Sequence, residues 1–107
     1  MVKIFISRKA MKDLNTIKAY IAQDNPTRAA SFSEELLSQT IETISEFPLS
    51  CPIYNKPNNI RRFVFGSYNI YYRISNNDRA DILHLLNSAL LKNMTPGFQS
   101  EVHHLIQ

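Results

Sequence analysis

The chain has one cysteine, Cys51, which excludes any internal disulfide. Its fold must therefore come from a packed core, and the low cysteine content suits a reducing cytosol. No stretch reaches the apolar length needed to span a bilayer. The start, MVKIFISRKAMKDL, lacks a long apolar segment and becomes charged at once, which argues against a signal peptide. Internal repeats and low-complexity tracts are absent. Charge of one sign is scarce as well: the net charge is +3, with a pI near 9.2. That excess permits an anionic partner without requiring one. A cytoplasmic protein with no membrane association is expected.

What is present is a globular balance. Apolar residues make up 44% and charged residues 20% of 107 residues. That length suits one domain, expected over residues 1–107. A chain of this size can bury roughly two-thirds of its unfolded surface.

Val2, Ile4 and Ile6 alternate with Lys3 and Phe5, so residues 2–6 read as a strand. Ser7 can then cap a helix whose apolar stripe is Ala10, Leu14, Ile17 and Ile21, with Met11 and Tyr20 alongside. The spacing predicts this helix through about Ala22. Asn25-Pro26 ends one helix and begins the next. The second carries Ala29, Phe32, Leu36, Leu37, Thr40, Ile41, Ile44 and Phe47 at helical spacing, and Pro48 stops it. Residues 48–59, rich in proline and asparagine, read as loop. Strands follow at Ile60–Phe65, Tyr68–Ile74 and about Ala80–Leu86, with Asn76-Asn77-Asp78 as a turn. Thr95-Pro96 marks the start of a short C-terminal helix with Phe98, Val102, Leu105 and Ile106 apolar. The order β-α-α-β-β-β plus that helix implies an α+β fold: a helical hairpin packed on a small antiparallel sheet.

The segment IRRFVFGSYNIYYRI, residues 60–74, places three arginines and three tyrosines on one hairpin. Gly66-Ser67 fits a two-residue turn, with glycine where φ is positive. The pairing is then Phe65 with Tyr68, Phe63 with Ile70, and Arg61 with Tyr72 on one side. On the other side Val64 pairs with Asn69, Arg62 with Tyr71, and Ile60 with Arg73. Phe63, Phe65, Tyr68, Ile70, Tyr72 and Ile74 should face the helices. Arg62 and Arg73 should flank Tyr71 on the opposite face with Asn69, while Arg61 emerges at the edge of the core side. This face suits a phosphate backbone, a carboxylate-rich peptide or an acidic protein surface. It equally suits the solvated face of an ordinary antiparallel sheet.

Other candidates are weaker. His84 sits between Leu83 and Leu85 and reads as a packed or edge residue. His103 and His104 point about 100° apart on a helix and make a poor chelate with Glu101. Neither a metal nor a cofactor is expected. Cys51 has no neighbouring His or Cys and reads as an incidental thiol. Lys9, Lys12 and Lys18 give the first helix a basic outer face.

AMKDLNTIKAYIAQDNPTRAASF, EFP, the 60–74 hairpin and ILHLLNSA together resemble the RelE/ParE superfamily of bacterial toxin–antitoxin systems, closest to its ParE, or plasmid-stabilisation, branch. The resemblance spans residues 2 to about 90. It implies a small α+β toxin held inactive by an antitoxin encoded beside it. ParE-like members poison DNA gyrase, whereas RelE-like members cleave mRNA in the ribosome. The last strand in many members ends with His or Ser and, after a small-residue pair, Arg. Here Asn87, Ser88, Ala89 and Leu90 stand instead, and Asn69 occupies a position that is basic in the nucleases. The resemblance therefore implies a gyrase-directed toxin with Arg61, Arg62, Asn69, Tyr71 and Arg73 contacting antitoxin or target. The alternatives are a ribosome-dependent endoribonuclease using Arg62, Tyr71 and Arg73, and an inactive relative that only binds antitoxin. The apolar C-terminal helix either covers the sheet or builds a homodimer.

Overall fold

The computed structural model describes residues 1–76 and 78–87. The expected C-terminal helix, Leu90, His103 and His104 lie outside them, as does Asn77 of the second turn. Two helices pack on one five-stranded sheet. The elements are β1 (Lys3–Ile6), α1 (Arg8–Ala22), α2 (Pro26–Glu46), β2 (Ile53–Asn55), β3 (Ile60–Phe65), β4 (Tyr68–Ser75) and β5 (Arg79–Asn87). The strand order is β1-β5-β4-β3-β2.

The sheet is mixed. β2 to β5 run antiparallel, but β1 joins the β5 edge in parallel, Lys3 opposite Arg79 and Ile6 opposite Ile82. Its partner lies at the far end of the described chain, and parallel pairing needs such a long crossover. β2 is a second departure, because residues 48–59 were expected to be loop. It pairs with β3 through only two partner positions. A short edge strand tolerates the flanking Pro52 and Pro57.

Both helices begin where the capping residues fall. The Ser7 hydroxyl accepts from Ala10 N–H at 3.0 Å, and the Asn25 side chain accepts from Arg28 N–H at 3.0 Å. Pro26 opens α2 at a position where no intrahelical donor is lost. α2 buries Ala29, Ser33, Leu36, Thr40 and Ile44. Two of its buried hydroxyls donate back to carbonyls four residues earlier, Ser33 to Ala29 and Thr40 to Leu36. Phe47 and Ile41 do not belong to this stripe: Phe47 is the C-cap and is exposed, and Ile41 is partly exposed.

The core joins Leu14 and Ile17 of α1, Leu36 and Ile44 of α2, Ile70 and Tyr72 of β4, and Ile82 and Leu85 of β5. Each such aliphatic side chain contributes about 1.5–3 kcal/mol on burial. No helix among the described residues is long and apolar enough to cross a membrane.

Register fixes which side chains share a face. The β3–β4 pairs run from Phe65–Tyr68 to Ile60–Arg73, as a two-residue turn at Gly66-Ser67 requires. Gly66 alone in that turn has positive φ, +59°. On β5 the pairing shifts between Tyr71 and Tyr72, which face His84 and Ile82, so Leu83 is an extra residue in a bulge. α1 secures this bulge. Ser7 N–H donates to Ile82 O at 3.0 Å, the Ser7 hydroxyl to Leu83 O at 3.1 Å, and Leu85 N–H to the Asp13 carboxylate at 3.1 Å.

Candidate functional site

The hairpin pairing puts Arg62, Tyr71 and Arg73 on the face of the sheet away from the helices. That face is not uniformly wet. Ile60 and Tyr71 are buried there as a second small cluster, with Leu83 and Leu86 packed against it. Tyr71 is only 1% exposed, so it does not project into an open groove as expected. The cause is β2, which brings the Tyr54 ring edge-on to Tyr71 at 4.8 Å and 66°. Burial, with Tyr54 beside it, pushes the Tyr71 phenol above the ordinary tyrosine range, against smaller opposing effects of Asn69 and Arg62. A phenol held protonated in this way is no general base near neutral pH.

Arg62 is half-buried, and its guanidinium carbon lies 5.4 Å from the centre of the Tyr54 ring. Arg73 is also half-buried and sits opposite Asp81. Cross-strand diagonals such as Arg62 and Arg73 are separated by about 7–8 Å, within reach of one partner segment. Burial pushes the Asp81 carboxyl up, but the Ser75 hydroxyl at 2.6 Å, Arg79 at 2.9 Å and Arg73 together hold it below the usual carboxylate range.

Arg79 shares this face and covers the Phe5 ring at 3.9 Å. Lys3 stands opposite it across the β1–β5 pair. The sheet thus carries a band of basic residues from Lys3 through Arg79 and Arg73 to Arg62, broken by Asp81. The sequence did not reveal Arg79 and Tyr54 as neighbours of this site. Both are brought there by pairings, β1 with β5 and β2 with β3, that leave no local signal.

The remaining expected site residues have different surroundings. Arg61 turns to the helix side, as its alternation required. Its Nη1 donates to Cys51 O at 2.7 Å and to Leu49 O at 3.3 Å, clipping the 48–52 loop to β3. Tyr72 fastens the same loop by donating to Pro48 O at 2.7 Å. Asn69 is buried, and its amide reaches the Tyr71 hydroxyl at 3.4 Å. Arg61 and Asn69 therefore support the face from within, and Arg62 and Arg73 are the expected residues that remain half-open on it.

His84 is drawn to α1: its Nδ1 lies 3.5 Å from the Asp13 carboxylate. Burial pushes the Asp13 carboxyl up, but His84, Lys9 at 2.7 Å and Leu85 N–H outweigh that and hold it below the usual range. His84 pairs with Tyr71 across β4 and β5, but its Nδ1 is drawn to Asp13 on α1. No group of three or more His, Cys, Asp or Glu among the described residues is placed to hold a metal ion.

A family model described as ParE toxin of type II toxin-antitoxin system, parDE, matches residues 4–89. No curated protein sequence matches the chain. Among solved structures, the fold is similar to a chain of the chromosomal ParDE TA system from P. aeruginosa. The TM-score is 0.69 at 16% identity, covering 81% of this chain and 96% of that one. It is also similar to a chain of the toxin-antitoxin complex RelBE2 from Mycobacterium tuberculosis, with TM-score 0.58 and 18% identity over 80% and 96% of the two chains. At these identities the structural likeness speaks for the fold alone.

Proposed function

The chain belongs to the ParE toxin family of type II toxin–antitoxin systems, and from that premise we propose that it arrests growth by binding a protein target, DNA gyrase. It acts as a single-domain cytoplasmic protein without a cofactor. An antitoxin encoded beside it lays a carboxylate-bearing segment over the far face of the sheet and blocks it. Arginine forks match carboxylates in pairs of parallel hydrogen bonds, and the basic band offers them over a span of several strands.

The observation that carries this reading is a pair of cations flanking a buried phenol, with Asp81 engaged by Ser75 and Arg79 and His84 drawn to Asp13. Arg62 and Arg73 share a face on which the one phenol between them is buried and held protonated. RNA cleavage through a 2′-hydroxyl needs a base and an acid near the cations. His84, the residue best suited to either role, contacts Asp13 on α1. Binding needs neither.

Supercoiling by purified DNA gyrase in the presence of the purified protein tests the proposal. Inhibition near stoichiometric protein is expected. Unaffected gyrase in molar excess of the protein, together with codon-phased mRNA ends on expression that vanish in Arg73→Ala, would establish the endoribonuclease instead. Absence of any growth defect would favour a relative that only binds antitoxin.

A further inference from the structure

β2 is three residues long and lies between two prolines, yet its backbone is tied on both sides. Arg62 N–H donates to Pro52 O at 3.1 Å. The Asn55 side chain accepts from Asn58 N–H at 3.1 Å and from the Asn58 amide at 3.3 Å, closing the turn that follows. So short a segment adds little to the sheet. What it delivers is Tyr54, whose ring meets Tyr71 edge-on and Arg62 through its face.

Arg62 needs such a support. Its Nε is buried without a hydrogen-bond partner. No bond at Nε therefore aligns the guanidinium plane. Alignment falls to the Tyr54 ring and to the Tyr71 hydroxyl, which Arg62 also reaches. A loose arginine loses much side-chain freedom on meeting a partner, whereas one already stacked loses less. Contact with the ring, with Nε buried, leaves the Nη nitrogens for a planar anion.

We propose that Tyr54 is a positioning residue: its ring holds the Arg62 guanidinium so that the fork meets a carboxylate of a protein partner on the far face of the sheet. This rests on the protein-binding reading above. A carboxylate partner is favoured over RNA because the phenol between the cations is buried and held protonated and the described histidine is drawn to Asp13, while a fork held against a ring suits a bidentate acid.

The test uses the full chain with octaglutamate as the carboxylate probe and octauridylate as the phosphate probe, read by calorimetry at low salt. NMR of the Arg62 Nε–Hε group follows in parallel. Tyr54→Ala is expected to weaken octaglutamate binding about threefold to thirtyfold, the range of a cation–π contact. It should also move the Arg62 signal out of the ring-current shift. Tyr54→Phe, which keeps the ring, should restore both. In an Arg62→Ala background, Tyr54→Ala should change binding no further, a result that simple loss of packing would not give. Native-like binding and an unmoved Arg62 signal in Tyr54→Ala would overturn the positioning role alone. If Arg62→Ala binds octaglutamate like the wild type, the protein-binding reading of this face falls first. Tighter binding of octauridylate than octaglutamate would replace the carboxylate partner with a nucleic acid.

Discussion

Replacing Asp13 with alanine removes the acceptor that ties α1 to the β5 bulge. Three groups converge on this carboxylate: Leu85 N–H at 3.1 Å, Lys9 at 2.7 Å and His84 at 3.5 Å. The backbone donor matters most. Leu85 is buried, and a buried N–H left without an acceptor costs about 1–3 kcal/mol. Lys9 is half-exposed, so its pair with Asp13 adds only about 0.3–0.5 kcal/mol. The sum is about 1.3–3.5 kcal/mol, and each kcal/mol lowers Tm by about 4–8 °C in a domain near this size. Urea unfolding followed by circular dichroism at pH 7 measures it. Because the Asp13 carboxyl is held below its unfolded value, its contribution is complete above the ordinary aspartate range and is lost as pH falls through the folded value. The stability gap between wild type and Asp13→Ala should therefore narrow towards acid pH. A loss under about 0.5 kcal/mol at pH 7, or a gap that stays constant into acid, would refute the assignment of Asp13 as the clamp on the bulge.

Gly66→Ala should cost about 1 kcal/mol or slightly more, since φ is +59° and nothing lies within 4 Å of an added Cβ; chemical denaturation measures it, and a clear gain in stability would contradict the turn. Tyr72→Phe should lose about 1 kcal/mol with its bond to Pro48 O, read from thermal melts. Burial raises the Tyr72 phenol far above its usual range, so wild-type stability should fall as pH rises beyond the ordinary tyrosine range, and Tyr72→Phe should show less of that fall. Arg61→Ala should release the 48–52 loop and speed its amide exchange without altering that of β5, since both of its hydrogen bonds go to that loop.

Much of the fold was legible because its signals are local. Ser7 and Asn25-Pro26 mark helix starts by cap chemistry, and Gly66-Ser67 sets the hairpin register by turn geometry. What escaped depends on residues distant in sequence. β1 pairs with β5 across more than seventy positions, and nothing in VKIFI names its partner. β2 is too short for alternation to register. Missing β2 hid the burial of Tyr71, because the covering ring of Tyr54 comes from that strand. Nothing local names the partner of Asp13; the Leu85 N–H at the β5 bulge makes it a buried acceptor. The face that holds Arg62 and Arg73 could be read from the hairpin, whereas its extension to Arg79 and its support by Tyr54 could not.

The two half-buried arginines should act by binding a protein. The most direct measurement is the concentration of protein that halves supercoiling by purified DNA gyrase, for the wild type and for the double variant Arg62→Ala/Arg73→Ala. Charge-assisted hydrogen bonds of about 1.5–3 kcal/mol each predict at least a hundredfold rise in that concentration, with the melting temperature little changed. Equal potency in the two proteins, or no inhibition by the wild type at any ratio, would contradict it.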